Sequence, residues 1–301
     1  MDANMDRTTL IVGDLHLKQE SLFPLIDGAI EHAGATDVIL CGDYMDDWGA
    51  DSWFSLDALS SLIAWIDGKR KAGIAVTPLV GNHDFCYINH FIGCGTDQRI
   101  LDDAGWKLKH MGLRAAAVAD GRLVTHAGVT GGWHDRYIPD TETSYEIADA
   151  LNEMLDGTVT FARCLYEAGY GRGGSSLTPG PLWADMNELL DDPAPYIDQI
   201  VGHTPVMGAD THVAHWYGDG QEEGASFVSF CDTFSLRRDL VPLGNGSMLL
   251  VGGGKVKSIS NRVLWKKCLS NYRIARGVCG VCSPVELDGI KEGRWVVEDT
   301  V

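Results

Sequence analysis

Cations are scarce in this chain: 24 Lys and Arg stand against 42 Asp and Glu, a formal charge of −18 over 301 residues. Such a charge repels polyanions, so no nucleic-acid partner is expected. Long apolar runs are missing as well. Nowhere do about 18 uncharged apolar residues follow one another, which argues against a helical membrane span. The opening residues, Met1-Asp2-Ala3-Asn4-Met5-Asp6-Arg7, hold neither a basic nor an apolar stretch, so no secretory signal is expected. Cysteine pairing is sparse: the eight cysteines are scattered, and Cys279-Gly280-Val281-Cys282 is a C-x-x-C without a second pair. That pattern gives no structural zinc site and fits reduced thiols in a cytoplasmic protein. Repeats of fixed period are absent. Hydrophobic residues at 45% and charged residues at 22% exclude disorder and leave an ordinary globular chain.

What the chain does have is a strand and helix rhythm. Thr8-Thr9-Leu10-Ile11-Val12 and Asp37-Val38-Ile39-Leu40-Cys41 are short apolar runs, stopped by Gly13 and Gly42. A third run, Ile74 to Val80, stops at Gly81. Helical spacing lies between them, over residues 18 to 33 and again from Ser55 to Lys71. The alternation predicts parallel strands with right-handed crossovers. Further strands are expected at Lys107 to Met111, Ala115 to Ala119, Leu123 to Thr125, Gln199 to Val201, Thr211 to Tyr217, Ser226 to Cys231 and Ser247 to Val251. A helical insert is expected from Ser144 to Glu167, and a mobile Gly-rich loop from Gly169 to Gly180. Gly252-Gly253-Gly254 reads as a hinge before a locally basic tail.

Metal-competent side chains cluster at the strand ends. Four ends carry Gly13-Asp14-Leu15-His16, Gly42-Asp43-Tyr44-Met45-Asp46, Gly81-Asn82-His83-Asp84 and Gly202-His203-Thr204-Pro205; a fifth carries Thr125-His126-Ala127-Gly128. A lone Asp after a strand is usually a helix cap, and a lone His is usually a hydrogen-bonded structural residue. Loops beyond the carboxyl ends of strands in an open α/β sheet converge on one crevice, so five such clusters would meet in space.

The five blocks, spread over residues 14 to 203, resemble the signature of the calcineurin-like metallophosphoesterases: D-x-H, G-D-x-x-D, G-N-H-[DE], a later His and G-H. The second block, and Pro181-Leu182-Trp183-Ala184-Asp185 ahead of Gly202-His203-Thr204-Pro205, are similar to the phosphoprotein phosphatase branch and its diadenosine-tetraphosphate hydrolase relatives. The resemblance implies a four-layer α/β/β/α sandwich over residues 1–252, with a short C-terminal extension over 253–301 packing on the core. It also implies two divalent metal ions. Asp14 and His16 would hold the first, Asp43 would bridge, and Asn82, His126 and His203 would hold the second. Mixed His, Asp and Asn ligation suits manganese, with iron, zinc or nickel as alternatives. The implied reaction is in-line attack of a metal-bridging hydroxide on phosphorus, with His83 as general acid and Asp46 holding its ring.

The implied substrate is a small-molecule phosphomonoester or nucleoside polyphosphate. A phosphoprotein, cleaved by a Ser/Thr phosphatase, is the alternative, and a catalytically idle metal-binding interaction module is the reading from a different class. The sequence departs from the phosphatase pattern at two places. Asp46 is followed by Asp47-Trp48-Gly49 where the branch has a phosphate-gripping arginine, and no Arg lies between Trp183 and His203. Arg172 and Arg136 are the candidates to replace them. The diesterase and nuclease pattern G-H-x-H is also broken, because Pro205 stands two residues after His203. Trp48, Trp53 and Trp133 are expected near the mouth of the site. The oligomeric state stays open.

Overall fold

The glycine-stopped apolar runs form the strands at the centre of the molecule. The computed structural model describes residues 7–218, 221–278 and 293–300, so the Cys279 and Cys282 pair lies outside the described residues. The chain begins as β1 (Thr9–Val12), α1 (Gln19–Ala33), β2 (Asp37–Leu40), α2 (Ser52–Lys71) and β3 (Ala75–Pro78). These three strands pair in parallel, Thr9 opposite Asp37 and Asp37 opposite Ala75. Then follow α3 (Asn82–Ile88), α4 (Leu101–His110), β4 (Ala116–Ala119), β5 (Arg122–Thr125), α5 (Gly131–Tyr137), α6 (Ser144–Asp156), α7 (Val159–Ala162) and α8 (Met186–Asp191). The remainder is β6 (Gln199–Val201), β7 (Asp210–Gly218), β8 (Gln221–Phe230), β9 (Met248–Gly252), β10 (Lys255–Ser260), α9 (Arg262–Ala275) and β11 (Val296–Asp299).

Two sheets result, in the orders β11-β10-β9-β1-β2-β3 and β4-β5-β6-β8-β7. Strand alternation sorts the core into layers. Ile11, Ile39 and Leu249 of the first sheet pack with Val124 and Ile200 of the second. Leu10, Val12, Val38 and Leu40 point the other way, into the core that α1 and α2 share through Leu22, Ile26, Leu59 and Leu62. On the outer side of the second sheet, α6 covers β4 and β5 while Leu189 of α8 packs on Val201 and Val228. The order helices, sheet, sheet, helices is the expected four-layer α/β/β/α sandwich. Strands buried on both faces explain why the sequence shows unbroken apolar runs there.

Three expectations are corrected. Lys107 to Met111 is no strand: residues 107 to 110 close α4, with Ala104 and Leu108 buried one turn apart. Asp102 and Asp103 at its start, and Lys107, Lys109 and His110 at its end, complement the helix dipole. Gly252-Gly253-Gly254 is a tight hairpin turn between antiparallel β9 and β10, with Gly253 at φ 60° and Gly254 at φ 77°. The expected boundary at 252/253 therefore falls inside a hairpin, and β10 and β11 extend the first sheet while α9 packs on α1. Trp133 is fully buried, its Nε1 donating to the Cys164 carbonyl at 2.9 Å, and cannot stand at a mouth. The Gly-rich segment from 169 to 180 holds a short 3-10 turn at Tyr170–Arg172, and Gly171 N donates to Glu188 Oε1 at 3.0 Å. Among the described residues no helix is long and apolar enough to cross a membrane.

Candidate metal centre

Each sequence block sits just past a strand, and together they line one end of the two sheets. Asp14 and His16 follow β1, Asp43 and Asp46 follow β2, Asn82 and His83 open α3 after β3, His126 follows β5 and His203 follows β6. The turns are sharp. His16, Asp43, Asp46 and His203 all hold positive φ, at 40°, 50°, 62° and 60°. Such backbone costs energy for residues with a Cβ and concentrates at working sites. The neighbouring glycines are required by contact. A Cβ on Gly81 would fall 2.1 Å from Asp43 Oδ1, and one on Gly202 would fall 2.3 Å from Asp14 Oδ1.

Two groups of donor atoms share one carboxylate. Asp14, His16 and Asp43 have ligand-type atoms all within 4.8 Å of one another, and so do Asp43, His126 and His203. Asp43 Oδ2 lies 3.6 Å from His16 Nε2 and 3.6 Å from His126 Nε2. Asn82 joins the second group, its Oδ1 lying 2.8 Å from His126 Nε2 and 3.1 Å from His203 Nδ1.

The outer hydrogen bonds decide which nitrogens face inward. His126 Nδ1 donates to the Cys41 carbonyl at 2.8 Å, and His16 Nδ1 donates to the Asp46 carbonyl at 2.8 Å. A carbonyl only accepts, so each ring carries a proton on Nδ1 and turns Nε2 toward the other donors. Burial pushes the pKa of both His126 and His203 down, which keeps these bases neutral. The 2.8 Å approach of His126 Nε2 to Asn82 Oδ1 then brings two lone pairs together, an arrangement a cation between them would relieve. On the other side, burial first, then the charges of Asp232 and Asp43, push Asp14 well above the usual carboxylate range. Crowded acids and inward lone pairs fit divalent cations.

Beside the donors lies the His83 and Asp46 pair. His83 Nδ1 is 2.8 Å from Asp46 Oδ2, and the Tyr87 hydroxyl donates to Asp46 Oδ1 at 2.6 Å. Burial opposes a charge on His83, but Asp43 and Asp46 outweigh it and raise its pKa to about 9. Asp84 supports the loop: Oδ1 accepts from Tyr44 N and Met45 N, and Oδ2 from Gly81 N, at 2.9, 3.2 and 3.0 Å.

A cavity of about 790 Å³ opens over these groups, with His16, Asp43, Asn82, His83 and His203 in its wall. Arg172 lines it too, its Nη2 donating to Thr204 Oγ1 at 2.6 Å and its Nε 3.0 Å from Asp185. Arg136 does not line it. Arg136 sits on α5, stacked over Tyr137 and 3.6 Å from Glu167. Of the tryptophans, Trp48 and Trp183 line the cavity, whereas Trp53 stands exposed on α2 outside it. Two residues escaped the sequence reading. Lys18, buried in the cavity wall, donates to the His16 carbonyl at 3.1 Å, and Asp232 is buried with Ser235 Oγ donating to it at 2.7 Å. Asp232 follows the end of β8, so the strand-end signal was there, without a glycine or histidine to mark it.

Residues 7–220 match the family model of the calcineurin-like phosphoesterases. The chain belongs to that family. As a calcineurin-like phosphoesterase it is a metal-dependent phosphoric ester hydrolase, and the donor groups above are its candidate metal ligands. Two solved structures share the fold at low identity. A cold-active protein-tyrosine phosphatase of a psychrophile Shewanella sp. is 16% identical, with 86% of this chain and 80% of that chain covered and a TM-score of 0.51. Another cold-active protein tyrosine phosphatase structure is 15% identical, covering 86% and 78%, at 0.53. A metallophosphoesterase from Sphaerobacter thermophilus is 11% identical, covering 91% and 95%, at 0.40. Curated proteins give no match.

Proposed function

We propose that this calcineurin-like phosphoesterase uses two divalent cations to hydrolyse a phosphomonoester or a nucleoside polyphosphate. Asp14, His16 and Asp43 would hold one cation, and Asp43, Asn82, His126 and His203 would hold the other. The observation that carries the reading is Asp43 Oδ2, 3.6 Å from a ring nitrogen of each group. Bound cations would polarise the phosphoryl group and supply an activated water there. The mixed donors suit manganese, and iron, zinc or nickel as well.

The chain's own residues do the rest. Asp46 fixes His83 by Nδ1, which leaves Nε2–H to donate to the leaving oxygen as the P–O bond breaks. A pKa of about 9 keeps that proton in place at neutral pH until the neighbouring charges change. Arg172 and Lys18, both in the cavity wall, orient the phosphate in place of the absent family arginines. The cavity volume and the half-exposed Trp48 leave room for an organic group beyond the phosphate. A phosphorylated side chain of a protein is the alternative occupant.

The test is hydrolysis of phenyl phosphate beside diphenyl phosphate with manganese, by the wild type and the variants Asp43→Asn and His83→Ala. Metal-dependent turnover of the monoester is expected, abolished in Asp43→Asn and reduced about 100- to 10,000-fold in His83→Ala. A preference for the diester would move the enzyme to the diesterases. Silence on both esters with manganese, zinc, nickel and iron would sink the phosphatase reading.

A further inference from the structure

The Asp46 turn carries more of the site than its own carboxylate. Its carbonyl accepts from His16 Nδ1 at 2.8 Å, and its carboxylate holds His83 Nδ1 at 2.8 Å. The two imidazoles meet edge to face, 5.3 Å apart. Both are therefore aimed by one residue in left-handed backbone, at φ 62°. Inside the following turn the local bonds are few: Trp48 N donates to Asp47 Oδ1 and Ala50 N to the Asp47 carbonyl.

The stronger anchors come from the far end of the chain. Arg276, at the end of α9, donates from Nη2 to the Trp48 carbonyl at 2.6 Å and reaches Asp47 Oδ2 from Nη1 at 3.4 Å. The Tyr272 hydroxyl also donates to Asp47 Oδ2 and itself accepts from Arg276 Nη1 at 2.6 Å. The guanidinium lies over the Phe54 ring of α2, 5.3 Å from its centre. Only 7% of the Arg276 side chain and 4% of the Asp47 side chain are exposed. Removing one partner of a pair so buried strands the other charge, so the contact resists opening. Arg276 is not in the cavity wall; it meets the turn at Asp47 and Trp48, and the Tyr272 ring beside it also lies 5.8 Å from Lys18 Nζ.

We infer that α9, through Arg276 and Tyr272, is a brace on the Asp46–Trp48 turn and thereby positions His83 for proton donation to the leaving oxygen. The segment beyond the β9–β10 hairpin is then part of the catalytic apparatus. Both are positioning residues. A shift of about 1 Å in a reacting group costs up to a hundredfold in rate, so the brace need not touch substrate to matter. The inference rests on His83 acting as the acid.

The experiment compares kcat/KM on phenyl phosphate, whose phenoxide needs a proton, with p-nitrophenyl phosphate, whose leaving group needs little. The ratio of the two rates does not depend on how much of a variant is folded and active. His83→Ala sets the scale by slowing the phenyl ester far more than the nitrophenyl ester. Arg276→Ala is expected to lower the phenyl to nitrophenyl ratio about tenfold, with Arg276→Lys between it and the wild type. Tyr272→Phe, which deletes only a hydroxyl, is expected to shift the ratio in the same direction by less. Unchanged ratios in the Arg276 and Tyr272 variants, beside a shifted His83→Ala, would overturn the brace while leaving His83 as the acid. An unshifted His83→Ala would overturn both.

Discussion

The two sides of the candidate metal centre solve the same problem with opposite electrostatics. The side built by the first sheet accumulates acid: Asp14 and Asp43 sit there, with buried Asp232 from the end of β8 in the second sheet against them, and Asp14 is pushed well up by burial and by those neighbours. The side built by the second sheet accumulates neutral bases: His126 and His203 are buried, and burial pushes both down. One side gathers carboxylates and the other offers lone pairs, and each arrangement favours a cation. The backbone divides similarly. Strained left-handed turns concentrate at His16, Asp43 and Asp46 on the first side, with His203 alone on the second. The His203 N–H reaches across to both oxygens of Asp14, at 3.0 and 3.1 Å, which ties the two sides together.

The largest expected effect breaks the comparison at the residue both sides share. If the site holds the two cations proposed above, Asp43→Asn should weaken both at once, by more than the roughly 10- to 100-fold that losing an outer-shell partner costs. Single-side variants sharpen it. Asp14→Asn removes an oxygen donor and should cost manganese more than zinc, whereas His203→Ala removes a nitrogen donor and should cost zinc more than manganese. Calorimetric titration of each variant with each ion checks the pattern. Equal losses for both ions in both variants would mean the two sides do not differ as donors.

The first side was the more legible in sequence. Its strands are short apolar runs ended by glycine, and Gly81 is needed because a carboxylate oxygen occupies the space of its Cβ. Motif order brought His126 and His203 to the same place, because strand ends converge whatever the distance along the chain. What the sequence hid was set by contacts between distant segments. Lys18 reads as an ordinary residue before a helix, yet it is buried near Asp47 and Asp232. Arg276 reads as part of a basic tail, and only the fold brings it to Asp47, 229 positions away. Lys107-Leu108-Lys109-His110-Met111 alternates like a strand, and the burial of Ala104 and Leu108 that makes it helical lies partly outside that window. Trp133 is hidden for a related reason: α5 turns it inward onto the Cys164 carbonyl.

A smaller effect separates the sides by stability. Asp84 braces the first side by accepting three backbone N–H groups, from Tyr44, Met45 and Gly81. Asp84→Asn turns an amide N–H₂ toward at least one of those donors. Leaving a buried donor unpaired costs about 1–3 kcal/mol, which denaturant unfolding of the metal-free protein resolves. A loss below that range would mean the turn after β2 holds itself without Asp84.

The smallest expected effect is the shift of one proton. In the metal-free protein His83 holds a pKa of about 9, because Asp43 and then Asp46 overcome the burial that opposes its charge. That is above the ordinary histidine value, so the interaction stabilises the fold fully below about pH 6.5 and is lost as pH rises through about 9. Divalent cations beside Asp43 cancel the charge that His83 feels. Loading with diamagnetic zinc should therefore lower the His83 pKa toward the neutral range, and imidazole resonances followed by NMR across pH report it directly. Asp46 does not join the donor groups, so its share of the shift should persist. An unmoved pKa on loading would mean that the charge of Asp43 does not govern His83, and the coupling between metal side and acid would fail with it.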